Sequence, residues 1–259
     1  MTPHELTERY LDAVDLALPG FVAGLYLVGS VATGGYQPGR SDVDTIIVTS
    51  RVATTSDLES LTAVHAGMPD APHLDGVYLD RATFAARPAL HEVAPFVVDG
   101  ELRAGVPCGE LHPVLWLILQ RYGLAVRGEP VADLGVTVDV DALRRYNLDN
   151  LREYWLRLAD DVEAATRELD REAPVPPDPV AWLALGPARL HYTLARHDVV
   201  SKAGAVAYLA ETFPEWAPLA ERAARWRAGE PVDFVAADLN AAASATHVIA
   251  EDAWTRFGG

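Results

Sequence analysis

Apolar positions recur at helical spacing near the start of the chain. Leu6, Tyr10, Val14 and Leu18 share one stripe with Leu11 beside it, which predicts a helix over 4–18. Short apolar runs at 23–28 and 43–49 then read as strands. SDLE (56–59) has the form of a capping box opening a helix that runs to about Met68. LDGVYL (74–79) reads as a third strand, and 111–126 as an apolar helix. From Asp141 the pattern is helical throughout: Leu143, Tyr146, Leu151, Tyr154, Trp155, Leu158, Val162, Ala165 and Leu169 keep helical spacing. APVPPDP (173–179) interrupts it, and helices follow over 180–197, 201–212, 215–228 and 232–256. The pattern predicts an α+β protein in two parts. The first, 1–140, has a small mixed sheet flanked by helices, and the second, 141–259, is an α-helical bundle.

Bulk properties narrow the classes. A chain of 259 residues, half of them hydrophobic, can bury a full core and does not read as disordered. No apolar run approaches the roughly 20 residues of a membrane helix, and the acidic, amphipathic start is unlike a signal peptide. Cys108 is the one cysteine, so no internal disulfide can form, and a cytoplasmic setting is expected. The formal net charge of −16 disfavours a nucleic-acid partner, since phosphates need facing cations. It serves solubility, and it also favours a cationic small molecule. No membrane partner is expected, and the chain is expected to be a monomer. The basic residues are twenty arginines and a single lysine, Lys202. A lysine kept against that bias offers a compact ammonium.

The candidate chemistry lies in GSVATGGYQPGRSDVD (29–44). Gly29-Ser30 opens the turn after the first strand, where bare backbone and a hydroxyl can cradle phosphate oxygens. Asp42 and Asp44, two apart at the start of the next strand, place both carboxylates on one face. Like charges so close call for a cation, and oxygen ligands suit Mg²⁺. A phosphate cradle beside a metal pair is the apparatus of phosphoryl or nucleotidyl transfer. VDVDAL (138–143) also contains D-x-D, but without a Gly-Ser turn upstream, so it reads as a linker or helix cap. The eight histidines show no metal spacing, Cys108 reads as structural, and no Walker P-loop is present.

The run LVGSVATGGYQPGRSDVDTIIV (27–48) resembles the signature of the DNA-polymerase-β-like nucleotidyltransferases. Within that group it is most similar to the aminoglycoside 3''/9-adenylyltransferases, the streptomycin/spectinomycin resistance enzymes. GPARLHYTLARHDVVSKAGAVAYLAE (186–211) resembles their helical segment that places an Arg and, thirteen residues later, a Lys on the ATP phosphates; Arg189 and Lys202 have that spacing. The resemblance implies a nucleotidyltransferase fold at 1–140 and a helical substrate- and ATP-binding domain at 141–259, with the active site in the cleft between them. It implies AMP transfer from ATP to an aminoglycoside hydroxyl, releasing pyrophosphate and conferring antibiotic resistance. Gly29, Ser30, Ser41, Arg189 and Lys202 would bind nucleotide, and Asp42 and Asp44 would hold two Mg²⁺ ions.

The family's third carboxylate, a Glu acting as metal ligand and base, finds Asp75 in LDGVYLDR (74–81), one methylene shorter; Asp80 is the second candidate. Trp155 and Asp178 lie in regions corresponding loosely to the family's drug contacts, although Asp178 also reads as the cap of a helix starting near Pro179. A second family Trp has no counterpart around GELRAGVPCGELHP (100–113). Two other readings stay open: transfer to another hydroxylated small molecule or to a protein, and a catalytically degenerate nucleotide-binding module.

Overall fold

The computed structural model describes residues 1–88, 90 and 92–259. They form two compact units, Met1–Val138 and Asp139–Gly259. Among them no helix is long and apolar enough to cross a membrane.

The first unit is a mixed six-stranded sheet with helices on it. Its elements are α1 (Pro3–Ala17), β1 (Val22–Leu27), a single turn α2 (Gly29–Ala32), β2 (Val43–Thr49), α3 (Thr55–Ala66), β3 (Leu74–Asp80), α4 (Arg81–Ala86), β4 (Phe96–Val98), β5 (Glu101–Arg103), α5 (Pro113–Tyr122) and β6 (Leu124–Arg127). The strand order is β5-β4-β3-β2-β1-β6. Only β2 and β3, joined through α3, run parallel, and in their register Asp44 lies beside Asp75. Thr2 starts α1 in a reciprocal capping box with Glu5, with Pro3 in the first turn, and the stripe at Leu6, Tyr10 and Val14 is fully buried. α1 and α3 close one core with Leu25, Leu27, Val43, Ile47 and Leu61. The Tyr78 hydroxyl crosses that core, 2.6 Å from Tyr10 Oη and 2.7 Å from His65 Nε2, so three buried polar groups satisfy one another.

Two expectations are corrected here. The capping box of α3 is formed by Thr54 and Asp57, not by SDLE, because Thr54 is the extended residue that accepts the Asp57 N–H. The helix expected over 111–126 ends at Tyr122. Gly123 breaks it at φ −53, ψ 138, and the short LAVR segment pairs with β1 as an edge strand. The apolar pattern does not mark the β4–β5 hairpin, although Asp99-Gly100 after the apolar run 96–98 is a strong two-residue turn signal. Both residues adopt positive φ, 54° and 74°.

The second unit is helical: α6 (Val140–Asn150) runs through a π-helical turn (Leu151–Trp155) into α7 (Leu156–Thr166), followed by α8 (Pro177–Arg196), α9 (Gly204–Thr212), α10 (Ala217–Arg227) and α11 (Ala236–Phe257). A two-residue pair, β7 (Pro174–Val175) with β8 (Phe234–Val235), ties down the APVPPDP segment. The second D-x-D is a cap: the Asp139 carboxylate accepts the Asp141 and Ala142 N–H groups at 2.9 and 3.0 Å. Alanines of α11 (Ala242, Ala245, Ala250, Ala253) let it pack closely with Leu183, Leu185 and Leu194 of α8.

Candidate active site

The site in the first unit is built where β1 ends. Val28 is extended and Gly29 turns at φ +54, a conformation that disfavours any side chain. The chain then coils once as α2. A Cβ at position 29 would overlap the Asp44 carboxylate, so Gly29 is bare because Asp44 lies against it. The Ser30 N–H favours the charged form of that carboxylate. Val28 N donates to the Asp44 carbonyl at 2.9 Å, fixing the turn to β2. The buried Ser30 Oγ has no hydrogen-bond partner among the described residues, as expected of a donor left for a ligand. Ser41 closes the intervening loop: its Oγ accepts Gln37 N at 3.1 Å, and its N–H donates to Gln37 O at 3.0 Å.

The carboxylates differ in their surroundings. Asp44 is pushed up to about 6, first by burial and next by the charge of Glu110, with Asp75 and Asp42 adding to it and the Ser30 N–H opposing. Asp42 Oδ1 accepts the His73 N–H at 3.3 Å and lies 3.9 Å from His73 Nδ1. Asp75 accepts the Asp99 and Gly100 N–H groups at 3.0 and 3.1 Å; burial raises its pKa and these two bonds lower it. His73, Asp75 and Asp99 bring ligand atoms within 4.8 Å of one another, a grouping that does not include Asp42 or Asp44. Asp80 is turned away from this work. It caps α4, accepting Ala82 N, Thr83 N and the Thr83 hydroxyl.

Glu110 escaped the sequence reading. It lies in the loop before α5, far from the signature, and burial and the Asp75 charge raise its pKa. Nothing in its local pattern distinguishes GEL from any loop glutamate; only the packing of that loop brings it to Asp44.

In the second unit Arg189 is tied to the segment that carries Lys202. Arg189 Nε on α8 donates to Val200 O at 3.0 Å, two residues before Lys202. The Lys202 ammonium stands 5.0 Å over the Trp182 ring. Trp182 Nε1 donates to Tyr154 Oη at 3.0 Å, and the Trp182 ring stacks on Trp155 at 5.3 Å. Trp155 is a core residue, 4% exposed, while Trp182 and Tyr154 are exposed at 41% and 46%. A cavity of about 350 Å³ lies beside them, lined by Tyr154, Asp178, Trp182, Lys202 and Arg227 among others. Asp178 does not cap α8. The helix starts earlier, at Pro177, whose missing N–H suits the first turn, and Asp178 stands exposed inside that turn.

A glycine turn, an orphaned hydroxyl and carboxylates that repel one another occur in the first unit, and residues 8–70 match the family model of the nucleotidyltransferase domain. The whole chain is similar in fold to a solved structure, spectinomycin adenyltransferase AAD(9) from Enterococcus faecialis with ATP and spectinomycin. The likeness has a TM-score of 0.66 at 18% identity over 95% of this chain and 98% of that one. No curated protein matches the chain by sequence.

Proposed function

We propose that the protein transfers AMP from ATP to a hydroxyl of a cationic, hydroxylated small molecule, an aminoglycoside of the streptomycin/spectinomycin kind. The observation that carries the reading is the Gly29–Ser30 turn built onto the Asp44 carboxylate, with the Ser30 hydroxyl left unpaired. The acceptor oxygen attacks the α-phosphorus of ATP, the bond from that phosphorus to the bridging oxygen breaks, and pyrophosphate leaves. Asp75 takes the acceptor proton. Gly29, Ser30 and Ser41 receive the triphosphate, and Arg189 and Lys202 neutralise its charge. The oxygen-only set Asp42, Asp44 and Asp75 suits two Mg²⁺ ions, which when bound supply charge stabilisation to the phosphate oxygens. Asp178 and Trp155, the latter through Trp182 stacked on it, are the proposed acceptor contacts, and the acidic chain attracts a polycation. The setting we propose is cytoplasmic, where ATP is available, with antibiotic resistance as the outcome.

The test is direct. The protein is incubated with ATP, Mg²⁺ and a panel of aminoglycosides, and pyrophosphate release and product mass are followed. A product heavier by one AMP, absent in Asp44→Asn, is expected. Absence of turnover across the panel, with nucleotide still bound, would instead favour the degenerate binding module, the reading that the shortened carboxylate at Asp75 keeps open.

A further inference from the structure

In the second unit, a histidine and two carboxylates converge from two packed helices. Asp160 and Glu163 stand one turn apart on α7, on one face of that helix. His247 of α11 meets them there. Its Nε2 lies 3.4 Å from Asp160 Oδ1 and 3.7 Å from Glu163 Oε1. One donor atom from each of the three falls within 4.8 Å of the other two. The register that brings them together is fixed farther along the same pair of helices, where the Thr166 hydroxyl of α7 and Asn240 Oδ1 of α11 lie 2.7 Å apart. No spacing along the chain marks this group, because its members come from helices far apart in sequence.

An ion pair alone accounts poorly for this arrangement. Charge-assisted N–H···O bonds close to about 2.7–2.9 Å, whereas both contacts here are longer. The His247 ring forms no hydrogen bond among the described residues. Two carboxylates one turn apart also repel. α7 offers each of them a cation at helical spacing, Arg157 for Asp160 and Arg167 for Glu163. Neither arginine pairs with an acid among the described residues; both acids approach His247 instead. The donor spacing fits a metal ion, since Zn²⁺ bonds of about 2.1 Å at tetrahedral angles set neighbouring ligand atoms about 3.4 Å apart. We infer that Asp160, Glu163 and His247 form a binding site for a divalent transition-type cation, Zn²⁺ before others, that clamps α7 to α11. One imidazole nitrogen with two carboxylate oxygens suits Zn²⁺ better than Mg²⁺, which keeps to oxygen and to octahedral geometry. Three protein ligands leave the fourth position to water. An ion held by both helices binds the fold and not the unfolded chain, so it stabilises the second unit by mass action. The inference goes beyond adenylyl transfer and does not depend on it.

The experiment is a Zn²⁺ titration of the full chain by isothermal calorimetry, with Mg²⁺ in excess to fill oxygen-only sites. Even groups that only support a metal ligand cost about 10–100-fold in affinity when removed. His247→Ala and Glu163→Gln are therefore each expected to weaken one equivalent of Zn²⁺ binding at least tenfold. In the first unit His73, Asp75 and Asp99 also bring ligand atoms together, so His73→Gln is the control, and the same equivalent should persist in it. Thermal melting supplies a second readout. The His247 side chain is 37% exposed and that of Glu163 41%, so both metal-free variants should melt close to the unaltered chain. The rise that Zn²⁺ gives the unaltered chain should be lost in both. Glu163→Gln, which keeps the shape, decides the matter if alanine at 247 disturbs the packing. Equal Zn²⁺ affinity in Glu163→Gln and the unaltered chain overturns the inference. So does the absence of Zn²⁺ binding by the unaltered chain, or its loss in His73→Gln.

Discussion

The Asp44 carboxylate lies directly on Gly29, so close that no side chain fits between them. Gly29→Ala therefore does two things at once: it forces a Cβ into the left-handed backbone at φ +54 and it displaces Asp44. Loss of a preorganised group of this kind costs about 100-fold or more in turnover. Adenylylation by Gly29→Ala should fall by at least that factor in a pyrophosphate-release assay. Gly34 also has positive φ, +70, but opens on free space. Gly34→Ala should lose stability of about 1 kcal/mol and keep most of the activity.

Asp75 is the shared point of the site, beside Asp44 in the register and bonded to the Asp99–Gly100 turn. Asp75→Asn keeps the shape and removes both the proton acceptor and a charge. Turnover should drop by roughly 10²–10⁴-fold, the range that general base catalysis supplies, with a smaller change in nucleotide affinity. Steady-state kcat against calorimetric ATP binding separates the two. Activity retained in Asp75→Asn would move the base elsewhere.

Trp155 fills the space beside Gly186 on α8, where a Cβ would overlap the indole ring. Alanine is the better helix former by about 1 kcal/mol, yet overpacking a core costs typically 1–3 kcal/mol. Gly186→Ala should therefore be net destabilising in a urea melt. Adding Trp155→Phe, which makes room, should recover part of the loss, giving a non-additive cycle. Additive effects would show that the two residues do not share the space.

His65 and His112 are both pushed down to about 4 by burial. Each is neutral in the fold, and His112 must stay so to accept Leu115 N. Unfolding returns each to its ordinary value near 6.5, so between about pH 4 and 6.5 the unfolded chain binds more protons. Stability from this source is complete above about pH 6.5 and falls as the pH drops towards 4, by on the order of 1–3 kcal/mol for each group. Asparagine also caps helices but does not titrate in this range. His112→Asn should flatten the dependence, measured as denaturant midpoints from pH 4 to 7.

Much of the architecture was legible because local chemistry decided it. The stripe Leu6–Tyr10–Val14, the apolar runs behind β1, β2 and β3 and the helical spacing after Asp141 each carry a period that only one backbone form can bury. The misses were short elements. β4, β5 and β6 have three or four residues each and are strands because neighbours supply their hydrogen bonds. The Asp99-Gly100 turn was the one local signal among them, and the site uses it, since its N–H groups hold Asp75.

By itself the sequence determined the cradle and the first carboxylates. Gly29, Ser30, Asp42 and Asp44 are close along the chain, and a turn followed by a strand brings Gly29 and Ser30 onto Asp44 whatever else folds around them. Only the tertiary structure decided the rest. It set Asp75 beside Asp44 through parallel pairing across a helix, turned Asp80 into a helix cap and buried Trp155 while exposing Trp182. It also let the charge of Glu110, far along the chain, act on Asp44. These placements depend on contacts between residues far apart in the chain, which no local period or spacing encodes.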